Sequence, residues 1–165
     1  MSESMYDIVI LGGGSGGYAA ALRGAQLGMK VALIEADKVG GTCLHRGCIP
    51  TKALLHAAEV ADMARDSGHF GVNATFEGID MERVNTYKDQ IIGKLHKGLQ
   101  GLVGHHNITY VTGWGTLVAP DTVEVDGTRY QGRNVVLASG SYSRSLPGLE
   151  IGGREVELKK LTMPV

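Results

Sequence analysis

Gly12, Gly14 and Gly17 fit the spacing G-x-G-x-x-G and stand between a continuous apolar run, residues 6–11, and an alanine- and leucine-rich stretch, residues 18–27. That order predicts strand, tight turn and helix. In such a turn the first glycine permits the reversal, the second lets a pyrophosphate approach the backbone, and the third lets helix and strand pack closely. The helix N-terminus then faces the anion. Gly28 stands where a helix C-cap glycine belongs, and residues 30–35 form a second apolar run that ends on Glu35. The unit is βαβ, about 30 residues long. Glu35 follows Gly17 by 18 positions, where a carboxylate accepts hydrogen bonds from both ribose hydroxyls and repels a 2′-phosphate. A glycine turn that binds nothing has the same spacing, so the strand, the helix and Glu35 in register are what favour a dinucleotide site. The motif alone does not separate a flavin from a nicotinamide dinucleotide.

The rest of the chain reads as further α/β structure. Residues 49–65 carry Leu54, Leu55, Ala57, Ala58, Ala61 and Met63 at mainly helical spacing, and residues 81–103 repeat apolar positions in steps of three and four. Short β-type runs follow at 108–112, 115–118, 122–125 and 128–130, with Asp126-Gly127 as a hairpin turn, and a last buried strand is expected at 134–138. Sixteen basic and seventeen acidic side chains leave a formal net charge of -1, which argues against nucleic acid or an anionic membrane as partner. The start is polar, with no basic n-region and no apolar stretch of about 18 residues, so a soluble cytoplasmic protein is the expectation. His45, His56, His96, His105 and His106 are read as solvated surface, Trp114 as a packing residue, and residues 94–97 as an ordinary polar helix face.

Chemistry concentrates in residues 40–55, GGTCLHRGCIPTKALL, which hold the only two cysteines, Cys43 and Cys48. On an undistorted helix five steps of about 100° set them apart by about 7.5 Å along the axis, pointing in different directions. A disulfide needs Cα atoms within about 7 Å and converging Cβ vectors, so Gly47 is expected to distort the chain between them. Pro50 then fits a first helical turn, where its missing N–H costs little. Beside Arg46 and a helix start a thiolate meets positive potential, which lowers its pKa. Two buried, unrelated thiols in a reducing compartment are the alternative. His45 and the cysteines give three candidate zinc ligands without a second ligand pair, so no metal is expected.

The stretch Gly40, Gly41, Thr42, Cys43, Cys48, Pro50 and Lys52 resembles the FAD-dependent pyridine-nucleotide disulfide oxidoreductases, and within that family the dihydrolipoamide dehydrogenase branch; the likeness covers residues 5 to about 154. The resemblance implies an α/β fold, a Rossmann-like FAD-binding domain with parallel βαβ units plus a small antiparallel β-meander. It implies Cys43 as the interchange thiol, Cys48 as the thiolate against the flavin, Lys52 near the flavin N5, and Glu35 on the adenosine ribose. Gly12, Gly14, Gly17, Gly41, Thr42, Gly115, Ser139, Gly140 and Ser141 complete the implied FAD contacts; Ala138-Ser139-Gly140-Ser141 departs from the family's Ala-Thr-Gly-Ser by one methyl group. Electrons then pass from a dithiol through the Cys43-Cys48 disulfide to FAD and on to NAD⁺. The implied partners are the lipoyl-bearing protein of a 2-oxoacid dehydrogenase or glycine-cleavage complex and, in the complete protein, a second subunit of a homodimer.

The family continues into an NAD domain, a further FAD segment and an interface domain with a His-Glu acid/base pair, none of which is in this sequence. The expectation is therefore a truncated first segment of the FAD domain, residues 1–154, followed by a divergent tail, 155–165. Two other readings stand beside the oxidoreductase segment: a flavin-binding or thiol-exchange fragment without turnover, and an NAD-binding module with incidental cysteines.

Overall fold

Strand β1 (Tyr6–Leu11), helix α1 (Ser15–Gln26) and strand β2 (Val31–Glu35) form the βαβ unit that the glycine spacing predicts. The computed structural model describes residues 5–142 and 144; the expected boundary at 154 and the tail 155–165 lie outside the described residues. Helix α1 begins three residues earlier than its apolar pattern suggests, because Ser15, Gly16 and Gly17 form its first turn. It closes at Gly28, φ +79°, with the Gly28 N–H on the Ala25 carbonyl at 3.0 Å and the Met29 N–H on the Gly24 carbonyl at 3.1 Å. These bonds satisfy carbonyls that the helix end leaves free.

One short helix follows β2 before the two long ones. Helix α2 (Gly41–His45) precedes α3 (Cys48–Arg65), and a single 3₁₀ turn at Ser67–Phe70 leads through an irregular segment to α4 (Met81–His105). Sequence periodicity missed α2, since five residues are too few to show a helical repeat. The Asp80 carboxylate caps α4, accepting from the Glu82 and Arg83 N–H groups, each at 3.1 Å. Asp80→Ala is expected to lower stability by about 1 kcal/mol in urea unfolding, the usual loss for a cap of this kind. No helix among the described residues is long and apolar enough to cross a membrane.

Strand β3 (Thr109–Thr112) returns beside β2, and β4 (Thr116–Ala119), β5 (Thr122–Val125) and β6 (Thr128–Leu137) form the meander. The six strands run in the order β3-β2-β1-β6-β5-β4. β3, β2, β1 and the end of β6 pair in parallel, whereas β4, β5 and the start of β6 pair antiparallel. Asp126 and Gly127, at φ +48° and +79°, both take the positive φ of the hairpin turn that matches strand twist.

The runs expected separately at 128–130 and 134–138 are one ten-residue strand, β6. Its first half faces β5, with Val125 opposite Thr128, and its second half faces β1, with Leu11 opposite Leu137. Polar Gln131, Gly132 and Arg133 interrupt the apolar pattern where the strand changes partner. At Gly132 an added Cβ would press on the Val9 side chain at 2.8 Å and the Asn134 carbonyl at 3.0 Å, so a larger residue there would push the two strands apart.

Strand alternation divides the core into two layers. Ile10, Val31 and Leu33 face α1 and α4, joining Ala21, Val39, Leu44, Leu99, Val103 and Ile108. Val9, Ala32 and Ile34 face the other way and are covered by Val123 and Val125 of β5. The meander therefore closes the sheet's second face, and the loops between these layers meet at the C-terminal ends of β1 and β2.

Candidate functional site

The carboxyl ends of β1, β2 and β6 open on a cleft of ≈ 220 Å³. Gly12, Gly14, Glu35, Gly41, Thr42, Gly115, Ser139, Gly140 and Ser141 all line it. Nine of the expected contacts, scattered across more than half the sequence, thus share one wall. The chain enters the first loop with the Gly12 N–H on the Ile34 carbonyl at 2.8 Å and leaves it at Gly14, the N-cap of α1. No acidic side chain stands in the first turn of α1 and no side chain caps it, so its N–H groups and positive dipole end remain available to an anion. A Cβ built on Gly14 meets nothing nearer than the Gly41 Cα at 4.0 Å, which leaves that side of the backbone open to a close ligand.

Gly17 is the exception. It is buried behind the turn, where a Cβ would fall on the Gly12 carbonyl oxygen. Its role is packing, as the third glycine of the motif requires. The second loop is pressed backbone to backbone on the first: the Gly40 N–H donates to the Gly13 carbonyl at 2.8 Å, and a Cβ on Gly41 would sit 2.6 Å from the Gly14 Cα.

Glu35 is held by the backbone. Its Oε2 accepts from the Gly13 N–H at 2.6 Å and its Oε1 from the Asp37 N–H at 2.9 Å. Each oxygen has further lone pairs, so the carboxylate is fixed at the cleft wall with acceptor capacity to spare for ribose hydroxyls.

Thr42 lines the cleft, and Cys43 is the next residue along α2. The break between α2 and α3 falls at Arg46 and Gly47, the latter at φ -134°, ψ -108°. The two cysteines thus stand on separate helices that fold toward each other, and the Cys43 thiol is in a hydrogen-bonding interaction with Cys48. Both are free thiols, Cys43 half-buried and Cys48 exposed. Lys52 follows Cys48 by one helical turn on α3 and is exposed; neither it nor the cysteines line the cleft itself.

Electrostatics at the pair differ from the expectation that Arg46 lowers a thiol pKa. The Arg46 guanidinium turns away to Asp37, 2.9 Å distant, in an exposed ion pair. The Cys43 thiol is instead pushed above its ordinary range, first because it bonds to Cys48, then by burial and by the neighbouring sulfur's charge; the Cys48 backbone and Lys52 oppose this.

Three further readings change. Trp114 does not pack in the core: it is 69% exposed and lines the cleft. His45 is half-buried, with Nε2 3.0 Å from the Val39 carbonyl, and also borders the cleft. His96 is half-buried on α4 rather than solvated. A signal for His96 was present, since Ile92, His96, Leu99 and Val103 follow one another at steps of four, three and four along the buried stripe of the helix.

The family profile described as pyridine nucleotide-disulphide oxidoreductase matches residues 6–162. The chain belongs to that family. Pyridine nucleotide-disulphide oxidoreductases similar to it include the dihydrolipoyl dehydrogenases of Bacillus subtilis (strain 168), 43% identical over 164 residues, and of Thermus scotoductus, 41% identical over 147 residues. The alignments cover 92% and 89% of this chain and 35% and 32% of those proteins. The mitochondrial dihydrolipoyl dehydrogenase of Pisum sativum is 41% identical, over 91% of this chain and 31% of its own length. The chain spans about a third of the length of these relatives. Within this oxidoreductase family, the parallel strands and glycine loop described above correspond to its Rossmann-like FAD-binding domain.

Proposed function

We propose that this chain is the flavin-binding and thiol-bearing part of a dihydrolipoyl dehydrogenase, and that in the complete protein it passes electrons from a protein-bound dihydrolipoyl group toward NAD⁺. The observation that carries the reading is the stretch 40–48: Gly41 and Thr42 line the dinucleotide cleft, and the next residue begins a pair of hydrogen-bonded free thiols. An NAD-binding module with incidental cysteines has no reason to place them there.

The cleft suits FAD. Gly14 leaves backbone open beside the α1 N-terminus for a pyrophosphate, with Gly12 and Gly41 lining the cleft next to it, Glu35 offers acceptors to the adenosine ribose, and Gly115, Ser139, Gly140 and Ser141 complete the wall. The enclosed volume is below the roughly 300–1,000 Å³ of a typical ligand pocket, so it accommodates part of a dinucleotide and the rest lies along the open rim. When bound, FAD supplies acceptance of two electrons from the dithiol.

The chain's own part is thiol–disulfide exchange. With Cys43 and Cys48 oxidised to a disulfide, a dihydrolipoyl thiolate attacks the Cys43 sulfur, the S–S bond breaks, and Cys48 leaves as thiolate. The second dihydrolipoyl thiol, on losing its proton, attacks the sulfur joined to Cys43, closing the lipoyl disulfide and releasing the Cys43 thiolate. Two electrons and two protons have left the substrate, and the pair is reduced. Lys52, one turn beyond Cys48, contributes positive potential that favours thiolate on this pair.

The test is the absorption spectrum of the purified chain with FAD, before and after one equivalent of dithionite, followed by dihydrolipoamide-dependent NAD⁺ reduction. A flavin band that gains a long-wavelength charge-transfer shoulder on reduction, and loses it in Cys48→Ser, is the expected result. Flavin bound without turnover would assign the chain to a flavin-binding, thiol-exchanging portion alone. Absence of bound flavin would overturn the site.

A further inference from the structure

His45 and His96, outside the exchange chemistry, meet at the seam between α2 and α4. Their rings lie edge to face, centroids 4.9 Å apart and planes 78° apart. His45 is two residues beyond Cys43 on a helix of only five residues. Its Nε2 faces the Val39 carbonyl at 3.0 Å, and because a carbonyl only accepts, that nitrogen carries the proton. His96 Nε2 is buried with no hydrogen-bond partner among the described residues. Between the rings and the core, Leu44 is buried in the same layer as Leu99 and Val103 of α4. The short helix that carries Cys43 therefore meets α4 through Leu44 and the imidazole pair.

We propose that His45 and His96 are positioning residues that hold α2, and with it the Cys43 sulfur, against Cys48, and that a proton on His96 releases this hold. The proposal rests on the reading of Cys43 as an exchange thiol. The titratable groups facing His96 are His45 from α2 and Lys38 from the connection before α2. Neither supplies a negative charge, so an imidazolium at His96 finds no counter-ion from them. Burial first, then His45 and Lys38, hold the His96 pKa below its ordinary value, and the neutral ring is the form that fits the seam. Placing a proton's charge on a ring whose Nε2 is buried and has no partner among the described residues is costly and is relieved by parting α2 from α4. The bond to Cys48 that keeps the Cys43 thiol up then loosens, and Cys43 becomes more acidic. Acidification thus makes Cys43 more reactive than its own neutral-pH profile extrapolates to.

The measurement is the iodoacetamide alkylation rate of Cys43 across about pH 5 to 8, the range in which histidine titrates. Trypsin cleaves after Lys38, Arg46 and Lys52, so Cys43 and Cys48 fall in separate peptides and each is read by mass spectrometry. A simple thiol loses about tenfold in rate per pH unit below its pKa. For the native chain we expect the Cys43 profile to flatten in the acid range, ending about threefold or more above the extrapolated line, equivalent to about half a pKa unit. The Cys48 peptide serves as the internal comparison. His96→Gln, which keeps a polar side chain but takes up no proton, is expected to give a straight profile, and His45→Asn one that is displaced. Circular dichroism at the acid end confirms that the fold persists. A straight native profile, or an unchanged bend in His96→Gln, would overturn the proposal; the native profile decides even where a variant does not fold. Alkylation needs no flavin, so failure of FAD to bind would count against the proposed function and leave this result standing.

Discussion

Gly17→Ala is expected to cost about 3 kcal/mol or more of stability and to abolish flavin binding, whereas Gly16→Ala, one residue away, changes stability by about 0.5 kcal/mol on the favourable side. The difference lies in what each Cβ meets. At Gly16 nothing lies within 4 Å and the residue is exposed in a helical turn, so alanine only narrows the unfolded ensemble. At Gly17 the new atom falls on the Gly12 carbonyl oxygen, with the Ala138 Cβ 3.4 Å away. A carbonyl in the main chain does not rotate aside as a long side chain does. Either α1 moves off β1 or the Gly12 turn opens, and both change the cleft wall. Urea unfolding of the two variants, with flavin fluorescence as the second readout, checks the pair of signs. Equal stability of the two variants would show that close packing of α1 on the turn is not the work of the third glycine.

The second large effect is at the thiols. Cys43→Ser is expected to abolish exchange with a lipoyl disulfide, because the half-buried sulfur next to the cleft is gone and a serine hydroxyl remains protonated. Cys48→Ala acts in a different way. It removes the bond partner and the neighbouring sulfur charge, two of the three influences that push the Cys43 thiol up, and leaves burial against Lys52 and the backbone N–H at position 48. The Cys43 pKa therefore falls. Each unit of fall gives about tenfold more thiolate at neutral pH, partly offset by lower intrinsic nucleophilicity, for a net gain of about threefold in alkylation rate per unit. Turnover through the pair is lost all the same, since no second sulfur resolves the mixed disulfide. The alkylation rate of Cys43 against pH, read in native chain and Cys48→Ala, reports the shift. A midpoint that stays or rises in the variant would contradict the bond between the thiols as the cause. Because the two sulfurs titrate as a pair in the native chain, the comparison is between apparent values.

Local features were readable without coordinates. The βαβ unit, the closure of α1 at Gly28, the Asp126-Gly127 turn and the stripe of α4 all depend on residues within a few positions of one another, and hydrophobic period and turn chemistry operate at that range. The shared cleft of Gly12, Gly14 and Glu35 follows from the sequence as well, because a glycine loop after a strand and an acid at the end of the next strand are placed side by side by parallel pairing.

Sequence alone thus sufficed for the opening G-x-G-x-x-G unit and its direction, and residues 40–52 for the family resemblance. Tertiary structure alone decided the rest. Whether residues 128–137 make one strand or two depends on β1 and β5, which lie far away in the chain and each satisfy one half of the β6 backbone. Arg46 finds Asp37 rather than a thiolate, Trp114 opens onto the cleft, and His96 meets His45 across more than 50 positions. Such outcomes follow from which surfaces compete for the same space once helices and sheet have packed, and from how far each charge remains in water. Neither quantity is carried by a residue and its immediate neighbours.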